Sequence, residues 1–314
     1  MKDKNIAVIG GAGFLGSHLV DYLIEQENKV LVLDNLIAGR KDFVNPKADF
    51  IWFDITHSEA LLRKLLEQYK IDYVFNYAAE PYVPESYDRP LHVFDVNARG
   101  ALMVMNAAQE ANVKGILQVS SAEIYGDCVG KIPETYPARP HSTYGAAKLA
   151  IDALVQTRFR ESGCPVISLR QFNCLGKRDV LHPYVVPEIY KQLKKGSTVY
   201  LGNDSFRDFI YAGDAVRIAV ELLEKGAYGQ VYNLGSEVGI KIYDLAKKIG
   251  REMDIPEVTI ALDEKRIRKW EIWHLQSDNS KIYQVVNSRP KYSIDDSIRE
   301  TIRYYQGCDV KWAF

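Results

Sequence analysis

The sequence lacks several features that mark specialised classes of protein. Its 314 residues contain four cysteines and no CxxC pair, so we expect neither a disulfide scaffold nor a cysteine zinc site. Basic and acidic side chains nearly cancel, at 40 against 41, which excludes a bulk basic field for nucleic acid or an anionic membrane. The six histidines do not cluster with cysteines or carboxylates, and we predict no metal site.

Long apolar runs are also missing. No stretch approaches the ~20 residues that a membrane-spanning helix needs. The charged residues 1–5 lead directly into a short strand, without the longer apolar stretch of a signal sequence. We therefore expect reduced thiols, a cytoplasmic location and no membrane partner. Hydrophobic residues make up 47% and charged residues 26%, an ordinary balance for a chain that buries a large core.

Short apolar runs alternate with helical patterns over the first half of the chain. The runs lie at residues 6–9, 30–33, 73–75, 116–119 and 166–169. Such alternation predicts an α/β fold with a doubly wound parallel sheet, in which right-handed crossovers join the strands.

A glycine-rich turn follows the first of these strands. The run GGAGFLG at residues 10–16 matches GxGxxG when counted from Gly11, and Asp34 ends the next strand. Glycines let backbone N–H groups approach a pyrophosphate at the positive end of a helix. Asp34 can accept hydrogen bonds from the adenosine ribose and would repel a 2′-phosphate, so NAD is expected rather than NADP. Arg40 is near enough in sequence to reach such a phosphate, which leaves NADP open.

The turn and the alternation together predict a Rossmann-like NAD-binding domain. We assign to it residues 1–172 plus about 206–234, because residues 231–234 read as a further buried strand. A smaller C-terminal α/β lobe that binds the substrate is expected from about 173–205 and 235–314, where the alternation breaks down. The two parts are expected to enclose a cleft.

Tyr144 and Lys148 lie four residues apart at the start of a predicted helix, for which Ser142 is a candidate cap. A neighbouring ammonium favours phenolate over phenol, so we expect it to lower the pKa of Tyr144. Tyr144 could then take a proton from a hydroxyl whose carbon gives hydride to NAD. Such a pair also occurs in helices by chance. Ser121, after a buried strand, is expected at the carboxyl edge of the sheet, where it can bind the same substrate oxygen.

Further motifs resemble one family over nearly the whole chain. They are GGAGFLGSHL (10–19), LDNL (33–36), FDI (53–55), NYAAE (76–80), VN (96–97), SSAEIYG (120–126), YGAAK (144–148), RQFN (170–173) and RDFIY (207–211). Together they are similar to the extended short-chain dehydrogenase/reductases, specifically the NAD-dependent nucleotide-sugar epimerase/dehydratase family. The resemblance implies a tightly held NAD that is reduced and reoxidised within one turnover.

The resemblance also implies roles for individual residues. Catalysis would involve Ser121, Glu123, Tyr144 and Lys148. Cofactor contacts would come from Gly10, Gly13, Phe14, Leu15, Gly16, Asp34, Asn35, Asp54, Ile55, Ala78, Ala79, Asn97, Ser120, Tyr144 and Lys148. The nucleotide diphosphate of the sugar substrate would be bound by Asn173, Arg207 and Arg268, since a guanidinium fork suits phosphate. A homodimer would form through helices at about residues 91–112 and 143–161.

The reaction after oxidation at C4 of the sugar depends on Glu123. The stretch SSAEIYG is similar to a pattern in which this glutamate removes the C5 proton, which favours an NDP-hexose 4,6-dehydratase. If Glu123 only binds backbone, a 4-epimerase of the UDP-glucose type remains. An NDP-uronate decarboxylase and a catalytically silent NAD-sensing protein are further alternatives. Residues 182–187 and 266–281 are expected to face the nucleotide.

Overall fold

The computed structural model describes residues 1–268, 270–307 and 312. Its strands are β1 (Asn5–Ile9), β2 (Lys29–Asp34), β3 (Asp49–Trp52), β4 (Tyr73–Asn76), β5 (Gly115–Ser121), β6 (Val166–Gln171), β7 (Asn173–Leu175), β8 (Thr198–Leu201), β9 (Phe206–Tyr211), β10 (Val231–Leu234), β11 (Gly239–Lys241), β12 (Thr259–Leu262) and β13 (His274–Leu275).

The α-helices are α1 (Phe14–Glu25), α2 (Glu59–Gln68), α3 (Glu85–Asp88), α4 (Pro90–Phe94), α5 (Gly100–Glu110), α6 (Thr143–Ser162), α7 (Val185–Leu193), α8 (Ala212–Lys225), α9 (Ile242–Glu252) and α10 (Ile294–Gly307). A π-helical turn at Asp95–Arg99 joins α4 to α5. Short 3₁₀ turns lie at Lys41–Phe43, Ala122–Ile124, Glu264–Arg266 and Ile282–Gln284.

Within the described part of the chain, seven strands form one parallel sheet in the order β10-β6-β5-β4-β1-β2-β3. The direction of chain progression reverses between β1 and β4, so the carboxyl ends of these strands open into a crevice. The predicted doubly wound, Rossmann-like sheet is confirmed. Strand β3 was not predicted.

Helices cover both faces of this sheet, which explains why its central strands are continuous apolar runs. Residues 6–9 of β1 are each 0% exposed. On one face, Leu19 of α1 and Leu222 of α8 belong to the buried cluster. On the other face, Leu62 of α2 and Val104 of α5 belong to a second cluster. The sheet is therefore a rigid platform whose carboxyl edge holds the loops of the site.

A third apolar cluster lies among α7, α9 and α10, beside a small sheet of β7, β9, β11 and β13. Helix α9 contributes its buried face to this cluster, including Ile242, Leu245, Ala246 and Ile249. The assignment of domain boundaries stays a prediction. Of the cysteines, Cys308 lies outside the described residues. None of the helices in residues 1–268 and 270–307 combines the length and apolarity that crossing a membrane requires.

Asp208 connects three segments around the small sheet. It is 0% exposed, and its carboxylate accepts hydrogen bonds from the N–H and hydroxyl groups of both Ser236 and Ser277. Because Asp208→Ala leaves several buried donors without an acceptor, we expect it to lower the free energy of unfolding by about 3 kcal/mol. Urea unfolding measures this. Asp49→Ala, at an exposed position of β3, is the control, and an equal effect of both substitutions would contradict the prediction.

Candidate active site

A cavity of about 760 Å³ runs along the carboxyl edge of the parallel sheet. Its lining includes the last residues of four strands, namely Ile9, Asp34, Ser121 and Gln171. Apart from Asn97, every residue predicted for the site lines this cavity. The fold therefore brings together the side chains that the sequence predicted, and their individual roles stay predictions.

The glycine turn forms one wall of the cavity. Gly10 has a φ of +79°, and a Cβ there would lie 2.5 Å from the backbone nitrogen of Ala78. A Cβ at Gly16 would overlap the carbonyl oxygen of Gly10. Gly13 caps α1 without a side chain, so the first-turn N–H groups of α1 can donate to an anion. These contacts form a cradle that fits a pyrophosphate.

Acidic and amide side chains form the end of the cavity beyond the turn. Asp34 accepts hydrogen bonds from the N–H groups of Ala12 at 3.0 Å and Leu36 at 2.7 Å. Burial raises the pKa of Asp34, and these two bonds lower it by less. Asn35 Nδ2 donates to Asp54 Oδ2 at 2.9 Å. The carboxylates thus have fixed positions from which to accept ribose hydroxyls.

Arg40 is engaged by its own neighbours. Its Nε donates to Asp42 Oδ1 at 2.9 Å, and its guanidinium lies 4.9 Å from the centre of the Phe43 ring. An arginine held by a carboxylate and an aromatic face has less capacity for a 2′-phosphate. This arrangement favours NAD over NADP.

Asn97 lies behind the cavity wall. Its Oδ1 accepts from the backbone N–H of Glu80 at 2.9 Å, and its Nδ2 donates to the Glu80 carbonyl at 3.0 Å. The side chain is 1% exposed. Asn97 therefore fixes the segment that contains Ala78 and Ala79, and a direct cofactor contact stays a prediction.

Helix α6 places Tyr144 and Lys148 against the end of β5. Ser142 caps this helix as expected, because its Oγ accepts from Gly145 N at 3.1 Å. Lys148 Nζ donates to the Val119 carbonyl at 3.1 Å and lies 5.7 Å from the centre of the Tyr144 ring.

The hydroxyl group of Ser121 lies close enough to that of Tyr144 to lower the pKa of the phenol. Tyr144 and Ser121 are each 8% exposed, and Lys148 is 2% exposed. The site therefore presents two hydroxyls and an ammonium in a nearly dry environment.

The expected direction of the Tyr144 pKa is wrong for the protein alone. Burial raises the pKa of Tyr144, and the hydrogen bond to Ser121 lowers it by less. Burial also lowers the pKa of Lys148 to about 8, against the attraction of Asp152. Removing both groups from water disfavours their charged forms, and this effect outweighs their proximity. Without a ligand, Tyr144 is therefore an undissociated phenol. A positive charge on a bound ligand would favour its phenolate form.

Two ion pairs face each other farther along the cavity. Arg268 Nη1 lies 3.4 Å from Glu123 Oε1, and Arg207 Nη2 lies 3.0 Å from Glu271 Oε1. Burial lowers the pKa of Arg207, and Glu271 opposes this shift. Asn173, in β7, lines the same region. Two guanidinium groups and an amide can bind a diphosphate here.

The sequence analysis did not predict Glu271 as a site residue, although it lies within residues 266–281, which were expected to face the nucleotide. Its position three residues after Arg268 could have indicated a role in the site. The expected neighbouring segment, residues 182–187, also lines the cavity through Tyr184 and His182. His182 stacks on Tyr82 with ring centres 5.7 Å apart, and Tyr184 donates to the Pro81 carbonyl at 3.2 Å. Aromatic rings and ion pairs thus line the same cavity.

Comparisons with known proteins give a consistent result. Residues 6–235 match the model of the NAD dependent epimerase/dehydratase family. The UDP-glucose 4-epimerase of Lactobacillus helveticus is 31% identical, over 96% of this chain and 97% of that protein. The crystal structure of the Thermotoga maritima UDP-glucose 4-epimerase with UDP-glucose has a TM-score of 0.89 at 29% identity and covers 96% of this chain and 99% of its own.

A dehydratase is about as similar. The dTDP-glucose 4,6-dehydratase from Streptomyces venezuelae, whose structure has NAD and TYD bound, is 27% identical with a TM-score of 0.88. The match covers 96% of this chain and 97% of that one. Similarity alone therefore does not separate the two reactions.

Proposed function

The chain belongs to the NAD-dependent epimerase/dehydratase family, and from this premise we propose that it is an NDP-hexose 4,6-dehydratase. NAD is the cofactor of this family, and the glycine cradle with Asp34 fits it, since a Cβ at Gly10 or Gly16 would collide with the backbone and prevent the tight turn at the start of α1. The observation that carries the choice of reaction is Glu123, a carboxylate in the cavity wall two residues after Ser121.

The first step takes place at Tyr144. NAD, when bound, supplies the acceptor for the C4 hydride of the sugar and later returns that hydride. The positive charges of Lys148 and of a bound oxidised nicotinamide would favour loss of the phenol proton of Tyr144 to solvent. The resulting phenolate accepts the C4 hydroxyl proton, and Ser121 holds the same oxygen. Lys148 stabilises the developing negative charge, because its ammonium lies in a site from which water is largely excluded.

Elimination follows at C5 and C6. A ketone at C4 acidifies the C5 proton, and Glu123 removes it as general base. The bond from C6 to its hydroxyl oxygen then breaks. Ala122 has no acidic group, so the proton taken up by Glu123 is the one available to the departing oxygen, which leaves as water. Glu123 is then reprotonated from solvent and gives that proton to C5 while hydride returns to C6, which completes the 4-keto-6-deoxy sugar. Tyr144 releases the C4 hydroxyl proton to solvent.

Binding of the nucleotide diphosphate is assigned to Arg207, Arg268 and Asn173. We propose that the domain division given above separates cofactor binding from substrate binding.

We also propose that two copies of the chain associate through α4 to α6. This association is supported by exposed apolar side chains on these helices, namely Leu91 and Phe94 on α4 and Phe159 on α6. Sedimentation of the full chain tests it, and a monomer at micromolar concentration would contradict it.

A 4-epimerase of the UDP-glucose type is the second candidate. The ion pair between Arg268 and Glu123 favours it, because a carboxylate held by arginine has a structural use without acting as a base. In that case the 4-keto sugar turns over in the cavity and receives hydride on its other face.

The two reactions differ in their products in deuterated water. We expect incubation of the full chain with a panel of nucleotide sugars to yield, from one of them, a product that has lost water and carries deuterium at C5. Mass spectrometry and NMR identify it. An isomer of unchanged mass that carries no deuterium would contradict the dehydratase proposal and support the epimerase.

A further inference from the structure

An acidic side chain that the proposed mechanism does not use lies in the cavity wall. Asp179 belongs to the segment between β7 and α7, is 2% exposed, and lines the cavity. Its Oδ1 finds no hydrogen-bond partner among residues 1–268, 270–307 and 312. Burial without a partner costs free energy, so a ligand that supplies one gains affinity from this position.

Contacts with α1 fix the position of this segment. The Lys177 carbonyl lies 2.8 Å from His18 Nε2, and Arg178 Nη1 lies 2.8 Å from Asp21 Oδ2. A Cβ at Gly176 would lie 3.6 Å from the ring of Phe14, the first residue of α1. The segment therefore lies beside the helix whose N-terminus the glycine turn forms.

Three side chains relate Asp179 to the two ends of the reaction site. Tyr77, next to Ala78, is electrostatically coupled to Cys174, and Cys174 is coupled in the same way to Asp179. Tyr184 interacts with both Asp179 and Tyr144. Asp179 thus lines the same cavity as the glycine turn and Tyr144, in a stretch that includes Tyr184. If Asp34 binds the adenosine end and α1 the pyrophosphate, the nicotinamide half occupies this stretch.

Among residues 1–268, 270–307 and 312, the groups that face Asp179 include no positively charged partner. They are Cys174 of β7, Tyr184 of the same segment and Tyr305 of α10, whose hydroxyl donates to the Asp179 carbonyl at 2.7 Å. The adjacent basic residues bind elsewhere, Arg178 to Asp21 and Lys177 to Glu300. Since none of the described side chains supplies a cation at this position, a ligand is the candidate source.

We propose that Asp179 belongs to the cofactor site and that its carboxylate is the counter-charge of the oxidised nicotinamide ring. The oxidised ring carries a positive charge and the reduced ring carries none, so Asp179 favours the oxidised form. This inference rests on NAD as cofactor and holds for a dehydratase and an epimerase alike.

The proposal has a defined pH dependence. Burial raises the pKa of Asp179 to about 8, so the carboxyl is mostly protonated at neutral pH. A cationic ring lowers this pKa, and binding of NAD⁺ therefore releases a proton. We expect the affinity for NAD⁺ to rise roughly tenfold between about pH 6 and pH 8 and then level off, and that for NADH to stay flat.

Calorimetric titration of the nucleotide-free full chain, in buffers of different ionisation enthalpy, counts the protons released. Asp179→Asn, with Asp179→Ser as a second neutral variant, is expected to remove this release and to weaken NAD⁺ roughly tenfold at pH 8 while sparing NADH. Tyr305→Phe removes a hydrogen bond from the same segment without changing charge. It is the matched control and should release protons as the unaltered chain does.

Three results would overturn the proposal. One is equal proton release with NAD⁺ and NADH on the unaltered chain, which needs no variant. Another is undiminished release by both neutral variants, which would assign the proton to Lys148. The third is an equal loss of affinity for both nucleotides in the variants, which would make Asp179 a structural residue. None of these depends on whether the sugar is dehydrated or epimerised.

Discussion

Replacement of Tyr144 by phenylalanine is expected to lower kcat by roughly 10³-fold, because it removes the group that exchanges the C4 hydroxyl proton. The ring stays in place, and Ser121, which lies near the lost hydroxyl, is at the cavity wall, where substrate or water can bind it. The fold and NAD binding are therefore expected to persist. Steady-state kinetics and the absorbance of bound nucleotide measure both properties.

A matched control separates chemistry from packing. Tyr232 is a buried tyrosine of β10, outside the cavity lining, whose hydroxyl accepts from Ala227 N at 3.3 Å. Tyr232→Phe is expected to keep kcat within about twofold and to lower stability by about 1 kcal/mol. If Tyr144→Phe retained a tenth of the original kcat, proton transfer at C4 would have to be assigned to another group. A silent NAD sensor would show no turnover in either protein.

The glycine turn could be predicted because its requirements are local. A buried strand, four glycines and a helix start lie within residues 6–16, and the structure places them as expected. Strand β3 could not be predicted in the same way, because Asp49–Trp52 lies at the sheet edge and is half exposed. Strand β3 has no continuous apolar run of its own, and its position depends on pairing with β2.

Features that depend on tertiary contacts were beyond the sequence. Arg268 meets Glu123 only because the late segment folds back over the end of β5. The raised pKa of Tyr144 follows from burial, which the spacing to Lys148 does not report. Asp179 looks like an ordinary loop aspartate until the fold buries it against Cys174. Motifs therefore located the site, and burial determined its electrostatics.

Glu123→Gln is the substitution that separates the partial reactions. The amide keeps the size of the carboxylate but cannot accept the C5 proton, so elimination is expected to slow by 10² to 10⁴-fold. Oxidation at C4 is expected to continue, since Tyr144, Ser121 and Lys148 are unchanged. Reduced nicotinamide should then accumulate on the enzyme after addition of the sugar nucleotide, and its absorbance measures the oxidised-sugar complex.

Glu271→Gln is the appropriate comparison, because it removes the carboxylate from the other ion pair of the cavity. Arg207 would lose its partner at 3.0 Å, and the change is expected to alter KM for the sugar nucleotide without accumulation of reduced nicotinamide. Full turnover by Glu123→Gln would confine that residue to holding Arg268 and would favour the epimerase. Accumulation with Glu123→Gln and not with Glu271→Gln would assign the C5 proton to one carboxylate, because both variants lose a negative charge paired with arginine.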